Sequence, residues 1–403
     1  MLRQLLNIRL LFIFTLCGLV TVLCYWGQTA NDTQKPKKGE WSQESESLEK
    51  ACNAIVRGSK QETECNFLRP LHLNISCNKY IADNHFITKT LSSEEAAFPL
   101  AYIFTLHKEY ETFERTFRAI YAPQNVYCIH IDEKSPVEYK MAVEALVNCF
   151  PNAFLSSKME PVVYAGISRL QADVHCLKDL VSMNGPWKYV LNLCGQDFPL
   201  KTNLEIIRHL KTYKNKNLTP GILDPAHTNY RTQSVFRERL DAHGSGVIRT
   251  SKMKSPPPHN LTIYFGTAYY ALTQEFARFV VEDKRATDLL EWSKDTYSPD
   301  EHYWVTLNRL PDAPNSMPNA KWEGCTKAIM WSDQQGSVCH GRYQRQICIY
   351  GTGDLKWLSE HECMFANKFE LNAYPPTLEC LELWLRKRAL NQSEIAAHPN
   401  WYF

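Results

Sequence analysis

The chain has 403 residues, 44 % hydrophobic and 12 % aromatic, enough to bury a large core and too apolar for a disordered segment. Its formal net charge of +2 carries no clustered basic excess, which removes nucleic acid and anionic lipid as general partners.

The first feature in chain order is an apolar run from Leu10 to Trp26, broken only by Thr15, Gly18 and Thr21. It is near the lower length limit for a bilayer span, and Arg3 and Arg9 precede it. By the positive-inside rule, residues 1–9 form a cytosolic tail, 10–26 a transmembrane signal anchor, and everything after it lies in the lumen. A cleaved signal peptide is the rival reading, but the run is longer than a usual signal core and no A-x-A site follows it.

Residues 27–50 are polar and charged and read as a flexible stem. Residues 51–94 carry three cysteines and read as a loop-rich, disulfide-linked lead-in, with the lumenal catalytic-size domain over 95–403. Of 14 cysteines, twelve lie beyond the anchor without C-x-x-C pairs or zinc spacing, which suits structural disulfides in an oxidising compartment. Sequons at Asn31, Asn74, Asn217, Asn260 and Asn391 point the same way.

From residue 101 onward, apolar runs alternate with helical patterns. The spacing predicts strands at 101–105, 126–131 and 189–194, with helices at 109–121, 137–149 and 168–181 between them. Alternating β and α units predict an α/β fold with a mixed central sheet, parallel in its first half. Ligands then sit beyond the carboxyl ends of the strands, at His107, Asp132 and Asp197. Further on, the pattern predicts an aromatic strand at 262–272, a helix at 274–282, a strand at 346–350 and a last helix at 378–387.

Between these lies Ser298-Pro299-Asp300-Glu301, an S-x-x-E sequence with proline at the first helical position. Alone it reads first as a capping box, in which Ser298 and Glu301 satisfy each other's backbone amides. The second reading makes Glu301 a catalytic base.

Several chemistries lose support. There is no P-loop, no H-E-x-x-H and no G-x-S-x-G, and Gly351-Thr352-Gly353 reads as a turn. Asp132 ends a strand where many sugar-nucleotide enzymes carry an Asp-x-Asp that holds a divalent metal, but no Asp-x-Asp occurs in the chain. Asp132 thus reads as a ribose or base ligand, or as a plain turn aspartate. Without a metal, side-chain cations must neutralise a departing diphosphate, and Arg345 and Lys368 are the candidates, each also readable as a surface cation. Trp331 could stack on a sugar ring or be a core residue.

The segments Phe98 to Tyr102, Arg118 to Tyr121, Pro123-Gln124-Asn125, Cys194 to Pro199, Ser298 to Glu301, Gly353-Asp354-Leu355 and Phe365 to Phe369 together resemble the core-2 and I-branching β-1,6-N-acetylglucosaminyltransferases of the Golgi. The tail from Asn391 to Phe403 is similar to the I-branching members. That resemblance implies a GT-A-like fold and a metal-independent inverting transfer, with no cofactor, from UDP-GlcNAc. The acceptor it implies is the 6-hydroxyl of galactose in poly-N-acetyllactosamine on glycoproteins or glycolipids, giving the β-1,6 branches of the I antigen.

By the same resemblance Glu301 is the base and Arg345 and Lys368 hold the diphosphate. His107, Asp132 and Tyr164 hold the nucleotide, and Trp331 meets the acceptor sugar. Asp333 stands where core-2 members carry tyrosine, which argues against a core-2 acceptor. The family pattern pairs Cys52 with Cys380, Cys77 with Cys149, Cys128 with Cys176 and Cys339 with Cys348, and leaves Cys194 a free thiol. Partners for Cys65, Cys325 and Cys363 are not assigned, and whether the chain forms a homodimer is left open. A related branching transferase with another acceptor, or an anchored glycan-binding protein without turnover, are the alternatives.

Overall fold

A computed structural model describes residues 41–58, 76–241, 244–336 and 338–403. The anchor at 10–26, Asn31, Asn74 and Cys65 lie outside the described residues. Among the described residues no helix is long and apolar enough to cross a membrane.

Four parallel strands form the centre: β1 (Leu100–Leu106), β2 (Val126–Ile131), β3 (Ala153–Leu155) and β4 (Tyr189–Cys194), in the order β4-β1-β2-β3. The Ala271–Thr273 strand closes the β4 edge antiparallel, so the sheet is mixed as its sequence predicts. Every residue of β1 is buried, because a central parallel strand is covered on both faces. Leu100, Tyr102, Phe104 and Leu106 meet Phe113 and Phe117 of the Tyr110–Ile120 helix on one face. Ala101 and Ile103 meet Leu170, Val174 and Leu177 of the Ile167–Ser182 helix on the other.

The register brings Thr105 level with His130 and with Cys194. His107, Asp132 and the turn after Cys194 therefore emerge along one edge. From that turn, β5 (Asp197–Pro199) pairs with Phe365–Asn367, which runs parallel to Lys327–Ile329 in a second, three-stranded sheet.

Five disulfides staple the described residues. Cys52–Cys380, Cys77–Cys149, Cys128–Cys176 and Cys339–Cys348 form as the resemblance implies, Cys325–Cys363 adds the pair left unassigned, and Cys194 is free.

Three expectations need correction. The stem over 27–50 does not stay polar and loose to its end, because a helix starts at Gln43 and runs to Val56. Its Leu48 and Cys52 are buried, Trp41 packs edge-on to Tyr402 at 5.1 Å, and the Ser42 amide donates to the Phe403 carbonyl at 3.0 Å. The aromatic strand at 262–272 is two strands, Tyr264–Gly266 and Ala271–Thr273, in different sheets. Gly266 lies so close to the Gly221 segment that a Cβ there would sit 2.3 Å from the Pro220 carbonyl.

The third concerns Asn217, expected as a glycan site. It has no exposed surface; its amide donates to Asn308 Oδ1 at 3.1 Å and the Pro314 carbonyl at 3.0 Å. Its oxygen accepts from Thr273 N and Oγ1, both at 2.9 Å. A glycan on that nitrogen is incompatible with the fold, whereas Asn260 and Asn391 are exposed. We expect Asn217→Ala to lower stability by roughly 2–4 kcal/mol in denaturant unfolding, since it orphans several buried polar groups. Glycopeptide mapping should find Asn217 unmodified in folded protein.

Candidate active site

Glu301 stands in the first turn of the Asp300–Leu307 helix, whose Tyr303, Trp304 and Leu307 are buried in the core and fix its position. The expected capping box does not form. Ser298 takes a left-handed φ of 47°, its N–H donates to the Ala165 carbonyl at 2.8 Å, and Pro299 occupies the cap position without a side-chain cap bond. With the Ser298 amide already satisfied, the Glu301 carboxylate is free to turn outward, where it forms an ion pair with Arg231. About a third of the side chain, 33 %, remains exposed, so the carboxylate is crowded by protein yet reachable.

Its electrostatics are tuned from three directions. Burial and the neighbouring Asp300 push the carboxyl up to about 7, and Arg231 opposes them. Asp300 is buried above a polar cluster that joins helix to sheet. There Asp173 accepts from Arg169 at 2.6 Å, Thr105 at 2.9 Å and Asn192 at 2.9 Å. Arg231 is itself held, with its guanidinium 5.3 Å from the Phe265 ring and 5.4 Å from the Tyr297 ring. Sequence reasoning missed Arg231, which lies 70 residues before Glu301 in the single-turn helix Tyr230–Gln233, without a motif.

Arg345 lies in the tight turn between the Arg342–Gln344 and Ile347–Ile349 strands, with φ of 50° there and 65° at Gln346. The Cys339–Cys348 disulfide holds this hairpin. Its guanidinium stacks 4.5 Å over the Tyr164 ring. Lys368 follows the Phe365–Asn367 strand, half-buried, and its pKa is lowered by burial, with Arg345 and Lys108 nearby adding to the effect. Among the described residues neither Arg345 nor Lys368 has an ion-pair partner. Two neighbouring cations without a counter-ion make a site suited to an anion.

His107, at the rim beyond β1, has its pKa lowered by desolvation and by Lys108 and Arg345, while Asp132 opposes. Asp132 accepts from the Lys134 amide at 2.9 Å and pairs with the Lys134 ammonium at 2.8 Å, which shapes the loop after β2. Trp331 is 42 % exposed and forms a backbone bridge to Ile347, next to the Arg345 turn. Thus Arg345, Lys368, His107, Asp132 and Tyr164 gather at one edge, and Trp331 borders it.

A three-residue link joins this edge to Glu301. Tyr164 carries the Arg345 stack, and Ala165 accepts the Ser298 amide. Gly166 has no side chain because a Cβ would lie 2.0 Å from Glu238 Oε1. That carboxylate caps the Ile167–Ser182 helix through the Ser168 amide at 2.8 Å and docks the Ser234–Met253 hairpin. Neither Glu238 nor the hairpin was anticipated from sequence. The site thus offers a near-neutral carboxylate, an uncompensated cation pair, and the exposed rings of Tyr164 and Trp331 that suit sugar or base stacking.

A family model described as Branch: Core-2/I-Branching enzyme matches residues 100–359. The chain is 55 % identical over 400 residues to the mouse N-acetyllactosaminide β-1,6-N-acetylglucosaminyl-transferase, covering 98 % of this chain and 99 % of that protein. It is 59 % identical over 358 residues to the human protein of that name, covering 88 % and 89 %. A human protein named probable β-1,3-galactosyl-O-glycosyl-glycoprotein β-1,6-N-acetylglucosaminyltransferase 7 is 51 % identical over 337 residues, covering 83 % and 78 %. Mouse xyloside xylosyltransferase 1, among solved structures, has a TM-score of 0.33 at 12 % identity over 68 % of this chain and 98 % of that one, too slight a likeness to weigh. The family match over residues 100–359 and 55 % identity over 98 % of the chain make this protein a member of the Core-2/I-branching enzyme family.

Proposed function

We propose that the protein transfers N-acetylglucosamine from UDP-GlcNAc to the 6-hydroxyl of galactose in poly-N-acetyllactosamine, with inversion, creating β-1,6 branches. The observation that carries this reading is 55 % identity over 98 % of the chain to an N-acetyllactosaminide β-1,6-N-acetylglucosaminyl-transferase, joined to an outward-facing Glu301 and to Arg345 and Lys368 without counter-ions among the described residues. The parallel sheet with its site at the strand ends supports a GT-A-like assignment. Five disulfides support a lumenal domain, and we place it in the Golgi behind the type II anchor at 10–26.

In this reading the acceptor oxygen attacks the anomeric carbon from the face opposite UDP and passes its proton to Glu301. The bond from that carbon to the β-phosphate oxygen breaks, and its electron pair leaves with UDP. One carboxylate suffices because UDP departs as a stabilised anion, whereas a glycosidase protonates a poorer leaving group with a second acid. The helix N-terminus would by itself weaken Glu301 as a base. Burial and Asp300 outweigh it, so the group is a stronger base than an ordinary carboxylate. Arg345 and Lys368 hold the diphosphate in place of a metal, His107, Asp132 and Tyr164 the nucleotide, and Trp331 the acceptor ring.

Four outcomes test this. Glu301→Gln should keep UDP binding and lower kcat by about 10²–10⁴-fold, while near-normal transfer would remove the base assignment. Because the base acts ionised, kcat/KM should rise with pH through about 7. Replacing the opposing cation, Arg231→Met, should move that limb to higher pH. Transfer should also persist in EDTA; loss of transfer restored by manganese would reject the cation-pair role.

A further inference from the structure

UDP-sugar carries two negative charges on its diphosphate, and release of the sugar leaves a third on the terminal oxygen. Arg345 and Lys368 balance the bound donor but leave the charge that develops during cleavage uncompensated. A further cation within electrostatic reach of Lys368 is Lys108, which follows His107 beyond the end of β1.

Its ammonium lies 3.1 Å from Glu370 Oε1 and 3.9 Å from Glu109 Oε1, with 36 % of the side chain exposed. It is close enough to Lys368 and to His107 to act electrostatically on both. Glu370 is only 6 % exposed and serves several groups at once. Its second oxygen pairs with Arg342 on the hairpin that carries Arg345, and Gln196 donates to its first at 3.1 Å. Glu370 stands two residues after Lys368 and pairs with cations from the β1 rim and the Arg345 hairpin.

Glu370's charge is divided between Lys108 and Arg342, Glu109 stands at the outer 3.9 Å, and an ammonium has three donors, so Lys108 can keep Glu370 and still donate to a phosphate oxygen. Glu370 also fixes the lysine before the donor arrives, so that no rotamer search accompanies charge development.

We infer that Lys108, positioned by Glu370, is a third leaving-group cation, one that engages the oxygen freed when the sugar departs. The inference rests on the UDP-sugar reading above. It makes Lys108 selective for the product and transition state over the intact donor, which sets it apart from the pair that grips both.

The test is calorimetric titration of the whole chain with UDP and, separately, with UDP-GlcNAc, for wild type, Lys108→Met and Lys108→Arg. In Lys108→Met we expect UDP to bind about tenfold more weakly and UDP-GlcNAc to change by about twofold or less. In the transfer assay kcat should fall about tenfold with little change in donor KM. Lys108→Arg should restore much of both. Unchanged UDP affinity, or equal losses for both ligands, overturns the inference while leaving the donor reading intact. A wild-type chain that binds neither ligand overturns both. If Lys108→Met does not fold, Lys108→Gln, which keeps length and polarity, supplies the same comparison.

Discussion

The site depends on how one backbone amide is satisfied. Because Ser298 N–H donates to Ala165, Glu301 has no cap to complete and its carboxylate faces Arg231. Were that amide unsatisfied, the lowest-energy place for the carboxylate would be its own helix start, where capping contributes about 1 kcal/mol. A neighbour 133 residues away in the chain thus decides whether the same glutamate caps its helix or faces Arg231.

The same segment serves the opposite side of the cleft. Tyr164 presents its ring to Arg345, Ala165 holds Ser298, and Gly166 admits Glu238. Tyr297 lies within electrostatic reach of Tyr164 on one side and of Arg231 and Glu301 on the other. Glu301 and the cation pair are therefore set by shared neighbours. Precise placement is what such a transfer needs, since orientation and fixed charge supply most of the rate when no covalent intermediate forms.

Charge is distributed unequally across the cleft. Glu301 has a cation against it, as do Asp132, Asp173 and Glu370. Among the described residues Arg345 and Lys368 have no counter-ion, and holding two like charges together costs energy that the fold must offset elsewhere. The Cys339–Cys348 staple and the β5 to Phe365–Asn367 pairing hold their backbones in place. In the proposed reading, a bound diphosphate would relieve that repulsion.

The sequence by itself determined the β-α alternation, the strand-end positions of His107 and Asp132, and the short list of groups able to act as base and clamp. Those are local properties: period, capping chemistry and the types of charged residue. Recognition of family segments then supplied pairings such as Cys52 with Cys380, 328 residues apart, which no spacing rule reaches. Tertiary structure alone decided the rest. The Gln43–Val56 helix looks like stem because its partners, Tyr402, Phe403 and Cys380, lie at the other end of the chain. Asn217 reads as a glycan site in sequence because the partners that occupy its amide, Asn308, Pro314 and Thr273, are distant along the chain. Arg231, Glu238 and Lys108 look like surface charges because what gives each a role is a partner distant in sequence. A one-dimensional pattern records which groups are present; only folding sets which of them satisfy one another and which are left to bind something else.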